Sequence, residues 1–355
     1  MSISETFQSV FGHAPQAETV TPGRVNLIGE HIDYNGGTVL PAAIARHIAI
    51  ALGPSPDDRD HIYSANFNET QAHAPDELKS GRWSDYAAGA LQISRADRII
   101  SGGVDVAINS TIPAGAGLSS SAALTVGLIA ALHKMAATTP AVETLARMAQ
   151  RVENDFIGVP CGIMDQMAVA AAPTGHALAL DTRDLSFEAI ALPTNYHFAV
   201  VHSGISRKLD EGRYAERRSE CEQAARQLGA SYLCHLSRTQ AENIDKLPEP
   251  LNRRARHAYT EQRRVEQAVH ALKHGDIGAV AEILKTGHAS LRDDFDVSLP
   301  AIDQLVRDAE TAGAIGARLT GGGFGGCIVA CVEASRLDDW TAEMNRLAPQ
   351  ATVLG

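Results

Sequence analysis

The chain has 355 residues, enough for two domains with substantial cores. Its 42 acidic against 31 basic residues leave a net charge of −11, which gives no support to a nucleic-acid or anionic-membrane partner. Five cysteines (Cys161, Cys221, Cys234, Cys327 and Cys331), odd in number and without a Cys-x-x-Cys pair, fit reduced thiols better than a disulfide framework. The start, Met1 to Gln8, lacks a charged segment followed by an apolar core, so no secretory signal is expected. The most apolar helical stretch, Ala122 to Leu132, is too short to span a bilayer. These features predict a soluble cytoplasmic protein.

Residues 3 to 12 have the spacing of a short amphipathic helix. The stretch from Thr21 to Pro41 is the densest polar segment, with Arg24, Glu30, His31, Asp33 and Asn35 set among apolar residues and glycines. Carboxylates there can accept from the hydroxyls of a ligand, and a histidine can donate or accept. Arginine suits developing phosphate charge. A solvated turn at Asp33-Tyr-Asn-Gly-Gly is the plainer alternative, and it leaves Glu-His-x-Asp unexplained. Residues 38 to 53 read as a strand pair, 54 to 80 as a polar surface excursion, and Trp83 to about Ile93 as a helix.

A strand from Val104 to Asn109 leads into Ile112-Pro-Ala-Gly-Ala-Gly-Leu-Ser-Ser-Ser-Ala-Ala-Leu124, which opens an apolar helix reaching about His133. A glycine turn feeding a helix N-terminus directs free N–H groups at one spot and favours an anion. This predicts a phosphate cradle; an ordinary N-capped helix is the alternative. No lysine lies between Asn109 and His133, so the common nucleotide loop is excluded. Thr144 to Asn154 reads as an amphipathic helix, and Asp165 by spacing alone is a helix-start residue. Gly175 to Ser186 reads as a hairpin with Asp181-Thr-Arg-Asp near its tip. Composition shifts around Leu192 to Asn195, and His197 to His202 reads as a strand. A loop, Ser203 to Arg207, precedes a charged helix opening at Gly212. Long helices are expected over 251 to 296. Gly321, Gly323 and Gly326 satisfy Gly-x-Gly-x-x-Gly, but a helix-like run precedes them and an apolar strand follows, the wrong context for a dinucleotide fold.

Pro22-Gly-Arg-Val-Asn-Leu-Ile-Gly-Glu-His-Ile-Asp-Tyr-Asn35 closely resembles the galactokinase signature. Ile112 to Leu124 and Ala317 to Cys331 resemble the second and third motifs of the wider GHMP kinase family. Val159-Pro-Cys-Gly-Ile-Met-Asp-Gln166 and the Tyr-x-x-Arg-Arg context of Tyr214 resemble further galactokinase segments, all in the family order between about residues 8 and 335.

The resemblance implies a two-domain α+β fold, 1–193 and 194–355, with the active site in the cleft between domains, acting as a monomer. It implies sugar contacts from Glu30, His31, Asp33, Tyr214 and the backbone at Gly162. Asp165 would be the catalytic base and Arg24 its partner. ATP would lie over Gly115, Gly117, Leu118, Ser119, Ser120, Ser121 and Ala122. Mg²⁺ would be held by Glu153 with a serine of the Ser119–Ser121 run, Ser120 and Ser121 foremost. The implied reaction is phosphorylation of D-galactose at its anomeric hydroxyl. Most galactokinases have threonine where this chain has Ile32, and N-acetylgalactosamine kinases carry isoleucine, so a kinase of N-acetylgalactosamine or L-arabinose is the near alternative. A mevalonate- or homoserine-type kinase has no need of two acidic groups. A non-catalytic sugar sensor should have lost a loop serine or the aspartate, and this chain retains Ser119 to Ser121, Glu153 and Asp165.

Overall fold

The computed structural model describes residues 1–113, 117–159, 161–205 and 211–354, so Gly115, an expected phosphate contact, lies outside the described residues. Packing gathers the chain into two compact units, each discontinuous in sequence. The first holds Met1–Arg24 and the described parts of 44–113 and 118–171; the second holds Val25–Ala43, Gly117 and the described parts of 172–354. Among the described residues no helix is long and apolar enough to cross a membrane.

The first unit opens with α1 (Ile3–Phe11), started by a reciprocal cap. The Ser2 hydroxyl accepts from the Glu5 amide, and the Glu5 carboxylate accepts from the Ser2 amide at 2.8 Å. Its apolar face, Ile3 and Phe7, is buried on Ala51 and Ala107. Next comes β1 (Ala17–Asn26), which ends in the polar signature. The chain then forms β2 (Thr38–Val39) in the second unit and β3 (Pro41–Pro54), most of which belongs to the first. The expected strand pair at 38–53 is two strands that do not pair with each other. Only Leu40 separates them, too little chain for a reversing turn. Leu40 instead exchanges backbone hydrogen bonds with Leu27 and Ile28 at 3.1 and 3.0 Å.

The excursion at 54–80 contains a hairpin, β4 (Asp60–Ser64) and β5 (Glu69–His73). Polar residues disguise it. Asp60 is buried because Arg95 donates to its Oδ2 at 2.9 Å and the Val104 amide to its Oδ1 at 3.0 Å. After α2 (Asp85–Ala96), β6 (Val104–Ser110) lies antiparallel to β3 and parallel to β4. α3 (Ser120–Met135) is apolar on nearly every side because α2, α4 (Val142–Arg151) and α5 (Met164–Ala171) pack around it. Gly127 of α3 admits β1 closely: a Cβ there would lie 2.2 Å from the Thr21 hydroxyl. The Thr19 hydroxyl donates to the Gly127 carbonyl at 2.9 Å.

In the second unit, β7 (His176–Asp181) and β8 (Phe187–Ala191) form a hairpin whose second strand lies beyond the expected limit of Ser186, and β2 pairs with β7. β9 (Tyr196–His202) is followed by helices α6 (Glu211–Gln227), α7 (Arg238–Ala241), α8 (Leu251–Lys273), α9 (Ile277–Asp293) and α10 (Pro300–Thr311). Helix ends at Thr311, and the residues just before the glycines form β10 (Gly316–Thr320), not the helix-like run expected. The glycine stretch therefore connects β10 to its antiparallel neighbour β11 (Cys327–Glu333). After α11 (Leu337–Leu347), β12 (Thr352–Val353) completes an antiparallel sheet in the order β10-β11-β9-β12.

Gly323 has φ +80°, and a Cβ there would lie 2.6 Å from the Val297 Cβ and 2.7 Å from the Val297 carbonyl oxygen. That same carbonyl accepts the Phe324 amide at 2.8 Å, so it cannot retreat without losing a bond. A Cβ on Gly322 would meet nothing nearer than the Tyr214 ring at 3.5 Å. Gly323→Ala should lower the unfolding free energy by about 2–4 kcal/mol and Gly322→Ala by less than about 1 kcal/mol. Chemical denaturation of both variants checks this, and equal losses would contradict the close approach.

Candidate active site

In the first unit the polar groups are organised by β1. Gly23 has no room for a side chain: a Cβ would lie 2.9 Å from the Leu118 carbonyl oxygen and 3.0 Å from Ile112 Cδ1. The next residue, Arg24, donates its amide to that Leu118 carbonyl at 3.2 Å, latching the strand to the turn before α3. The buried Arg24 side chain grips Asp165 in the first turn of α5 with two parallel bonds, Nε to Oδ1 at 2.7 Å and Nη2 to Oδ2 at 2.6 Å. The Ser119 hydroxyl donates to the same Oδ2. Gly117 turns through φ 73°, and Ser120, Ser121 and Ala122 make the first turn of α3.

Glu153 sits in a wider, π-helical turn, Val152–Ile157, that continues α4. Its carboxylate accepts from Gln166 Nε2 at 2.9 Å, and Ser121 lies beside it. Burial, helped by the nearby charge of Asp165, pushes its carboxyl up to about 7. The Gly162 backbone lies between Cys161 and α5, in a turn held by the Cys161 amide bonding Asn154 Oδ1 at 3.0 Å. Thus Arg24, Ser119, Asp165, Ser121 and Glu153 are close to one another in one unit. Among the described residues no set of three or more His, Cys, Asp or Glu side chains is arranged to hold a metal ion. Glu153 and Ser121 nevertheless offer the oxygen donors a hard cation prefers.

The second unit assembles the rest of the signature. His31 has a left-handed backbone, φ 64°. The Gly322 carbonyl can only accept, so in the neutral ring Nε2 donates to it at 3.2 Å and Nδ1 accepts from the Tyr34 hydroxyl at 2.8 Å. The ring lies 5.3 Å from that of Tyr214 on α6 and 4.6 Å from that of Phe295, centroid to centroid. Tyr34 stands edge-on to Tyr214 at 5.8 Å. Asp33 starts the tight turn Asp33–Asn35, and its carbonyl accepts from the Thr182 hydroxyl at 2.8 Å.

Glu30 is bound more firmly than the sequence suggests. Arg318 of β10, fully buried, donates from one Nη2 to Glu30 Oε2 at 2.5 Å and to Glu261 Oε1 of α8 at 2.8 Å. Glu30 Oε1 accepts the Gly321 amide at 3.3 Å, and Glu261 Oε1 accepts the Gly29 amide at 3.0 Å. His257 donates to the Glu30 carbonyl at 3.1 Å, and burial drives that imidazole down to about 4, so it is neutral. Arg318, Glu261, His257 and Tyr34 escape sequence reasoning. The available signal was Arg318 itself, a lone cation in an apolar run before the glycines. Ile32 is also resolved: it is fully buried, and a Cβ on Gly37 would touch its Cδ1 at 2.7 Å and Cys234 Sγ at 2.9 Å. Its side chain is spent on packing.

The raised carboxyl of Glu153 sets a pH dependence. A folded-state value of about 7 against 4.5 means the folded protein holds that proton more tightly than the unfolded chain. The stabilisation is full below pH 4.5 and is lost as pH rises through 7. Glu153→Gln keeps an acceptor for Gln166 without the charge, and should stabilise by up to about 3 kcal/mol at pH 8 and little at pH 4.5. Thermal melts in chelator at both pH values check this; an equal difference at both would contradict it.

Known proteins resemble this chain over most of its length. Residues 5–54 match the galactokinase galactose-binding signature, 85–172 the GHMP kinases N terminal domain and 268–347 the GHMP kinases C terminal domain. The galactokinase of Roseiflexus sp. (strain RS-1) is 41% identical, covering 99% of this chain and 92% of its own. That of Streptomyces coelicolor is 40% identical, covering 95% and 90%. The structure of Lactococcus lactis galactokinase complexed with galactose matches with a TM-score of 0.91 at 31% identity, covering 99% of this chain and 96% of that one. Methanococcus jannaschii mevalonate kinase, at 22% identity and a TM-score of 0.70 over 93% of this chain and 94% of its own, shares the fold. The mixed α and β architecture expected from the motifs is the one observed. Since the galactokinase signature covers Arg24, Glu30, His31 and Asp33, and relatives about 40% identical run nearly the length of the chain, it belongs to the galactokinase family of the GHMP kinases.

Proposed function

We propose that this protein transfers the γ-phosphoryl group of ATP to the anomeric hydroxyl of D-galactose, giving galactose 1-phosphate and ADP. The observation that carries the mechanism is the carboxylate of Asp165, gripped by two bonds from Arg24 yet with a side chain 30% exposed. A carboxylate so held is oriented and still reachable, as a general base must be. Asp165 takes the proton of the anomeric hydroxyl as that oxygen attacks the γ-phosphorus and ADP leaves. Arg24 orients the base and stabilises charge spreading over the phosphoryl oxygens.

Glu30, His31, Asp33 and Tyr214, with the backbone at Gly162, bind the sugar hydroxyls. The triphosphate lies along Gly115, Gly117, Leu118, Ser119, Ser120, Ser121 and Ala122, of which Ser120 to Ala122 open α3, where free backbone amides suit an anion. Glu153, with Ser120 or Ser121, would hold Mg²⁺, whose positive charge would offset that of the phosphates. The place of Ser121 beside Glu153 favours it of the two. Residues 1–193 carry the phosphate loop and the base, and 194–355 carry the third glycine motif. We place the enzyme in the cytoplasm, acting as a monomer; its five cysteines are free thiols, which suits a reducing compartment. The buried position of Ile32 removes the reason to favour an N-acetylated sugar.

ATP consumption with Mg²⁺ should be fast on D-galactose and slow on D-glucose, N-acetylgalactosamine and L-arabinose; a preference for another sugar would overturn the substrate assignment. Asp165→Asn should lower kcat by at least about a thousandfold while galactose binding, read by calorimetry, persists. Near-normal turnover in that variant would remove Asp165 as the base.

A further inference from the structure

We infer that Ser119 is a positioning residue for Asp165, its hydroxyl orienting the base rather than serving phosphate or metal. This rests on the reading of Asp165 as the base. Ser119 occupies the N-cap position of α3, where serine ordinarily accepts from an amide of the first turn. Here its side chain makes no cap bond. Its backbone is left-handed, φ 57° and ψ 46°, a conformation that disfavours a side chain. That backbone aims the hydroxyl at Asp165, where it donates to Oδ2. A hydroxyl has one proton to give, so the Ser119 side chain cannot also donate to a phosphate oxygen.

The supporting geometry is built into the fold. Arg24 and Ser119 lie on segments joined by the Arg24 amide to Leu118 carbonyl bond, over a glycine at position 23 that leaves no gap. The two donors therefore move together, and Asp165 is held from both. Oδ2 accepts from Arg24 Nη2 and from Ser119, whereas Oδ1 accepts from Arg24 Nε. Oδ1 keeps a lone pair and is the oxygen that receives the sugar proton. The three consecutive serines divide their work. The Ser119 hydroxyl serves the base, whereas Ser121 lies beside Glu153.

The test uses Ser119→Gly, which relaxes the left-handed backbone, beside Ser119→Ala, which keeps a Cβ. Both should lower kcat by about 10- to 100-fold, the range for a lost bond to a charged group, with the KM for ATP and the half-saturating Mg²⁺ within about twofold of the parent. An equal kcat defect in a relaxed and a strained variant separates the hydroxyl from backbone strain. Unchanged kcat overturns the inference, and a loss carried by the ATP KM or the Mg²⁺ requirement overturns it and makes the hydroxyl a phosphate or metal ligand. A double-mutant cycle of Ser119→Gly with Asp165→Ala, read by denaturant unfolding, needs no activity. It should show coupling of at least about fivefold in the unfolding equilibrium constant, and additivity overturns the pairing. If the parent protein phosphorylates no sugar, the proposed function fails while the cycle still decides the Ser119–Asp165 pair.

Discussion

A single buried cation holds the second unit's polar site together. Taking an ion out of water costs about several kcal/mol even after relaxation, so Arg318 is tolerable only because two carboxylates meet it. Burial alone would raise both acids. At Glu261, Arg318 and Arg264 together outweigh burial and hold the carboxyl well below the usual carboxylate range. Glu30 shares Arg318 and is repelled by Glu261, so burial prevails and its carboxyl is raised. The guanidinium also dictates its neighbours: a Cβ at Gly287 of α9 would come within 2.4 Å of Arg318 Nη1. One charge thereby sets one residue on α8, one on α9 and one in the signature.

The first unit solves a different problem, that of aiming a carboxylate while leaving it reachable. It does so with backbone placed in uncommon conformations. Ser119 is left-handed, Gly23 accepts contact that any Cβ would forbid, and the turn carrying Glu153 is one residue wider than an α-helical one. Left-handed His31 is the counterpart in the second unit. Such positions cost stability and persist because the packing around them allows little else.

Legibility followed periodicity. α1 and α3 announce themselves through apolar spacing, and β6 and β9 through short apolar runs. The hairpin β4–β5 was hidden because Asp60 is buried with an ion pair, which defeats any reading by hydropathy. β10 was hidden because an arginine occupies its centre. Arg24, Asp165 and the serine run were legible through family motifs, although the chemistry of Asp165 alone suggested only a helix start. Arg318 and Glu261 were not, since their meaning depends on a partner far off in sequence. Ile32 shows the converse: a departure from the family pattern that invites a functional reading proves to be packing against Gly37.

The separation of Glu30 from Arg318, 288 positions, bears on how the chain is made. The segment Val25–Ala43 is synthesised early but packs with residues that emerge last. During translation Glu30 and Glu261 cannot be neutralised by Arg318 until β10 has left the ribosome. Contacts of such long range are slow to form, because the loop must close before they return any energy. The nascent chain must therefore keep its signature segment solvated for most of synthesis. A break late in the chain, before β10, would strand two acidic side chains without their shared cation.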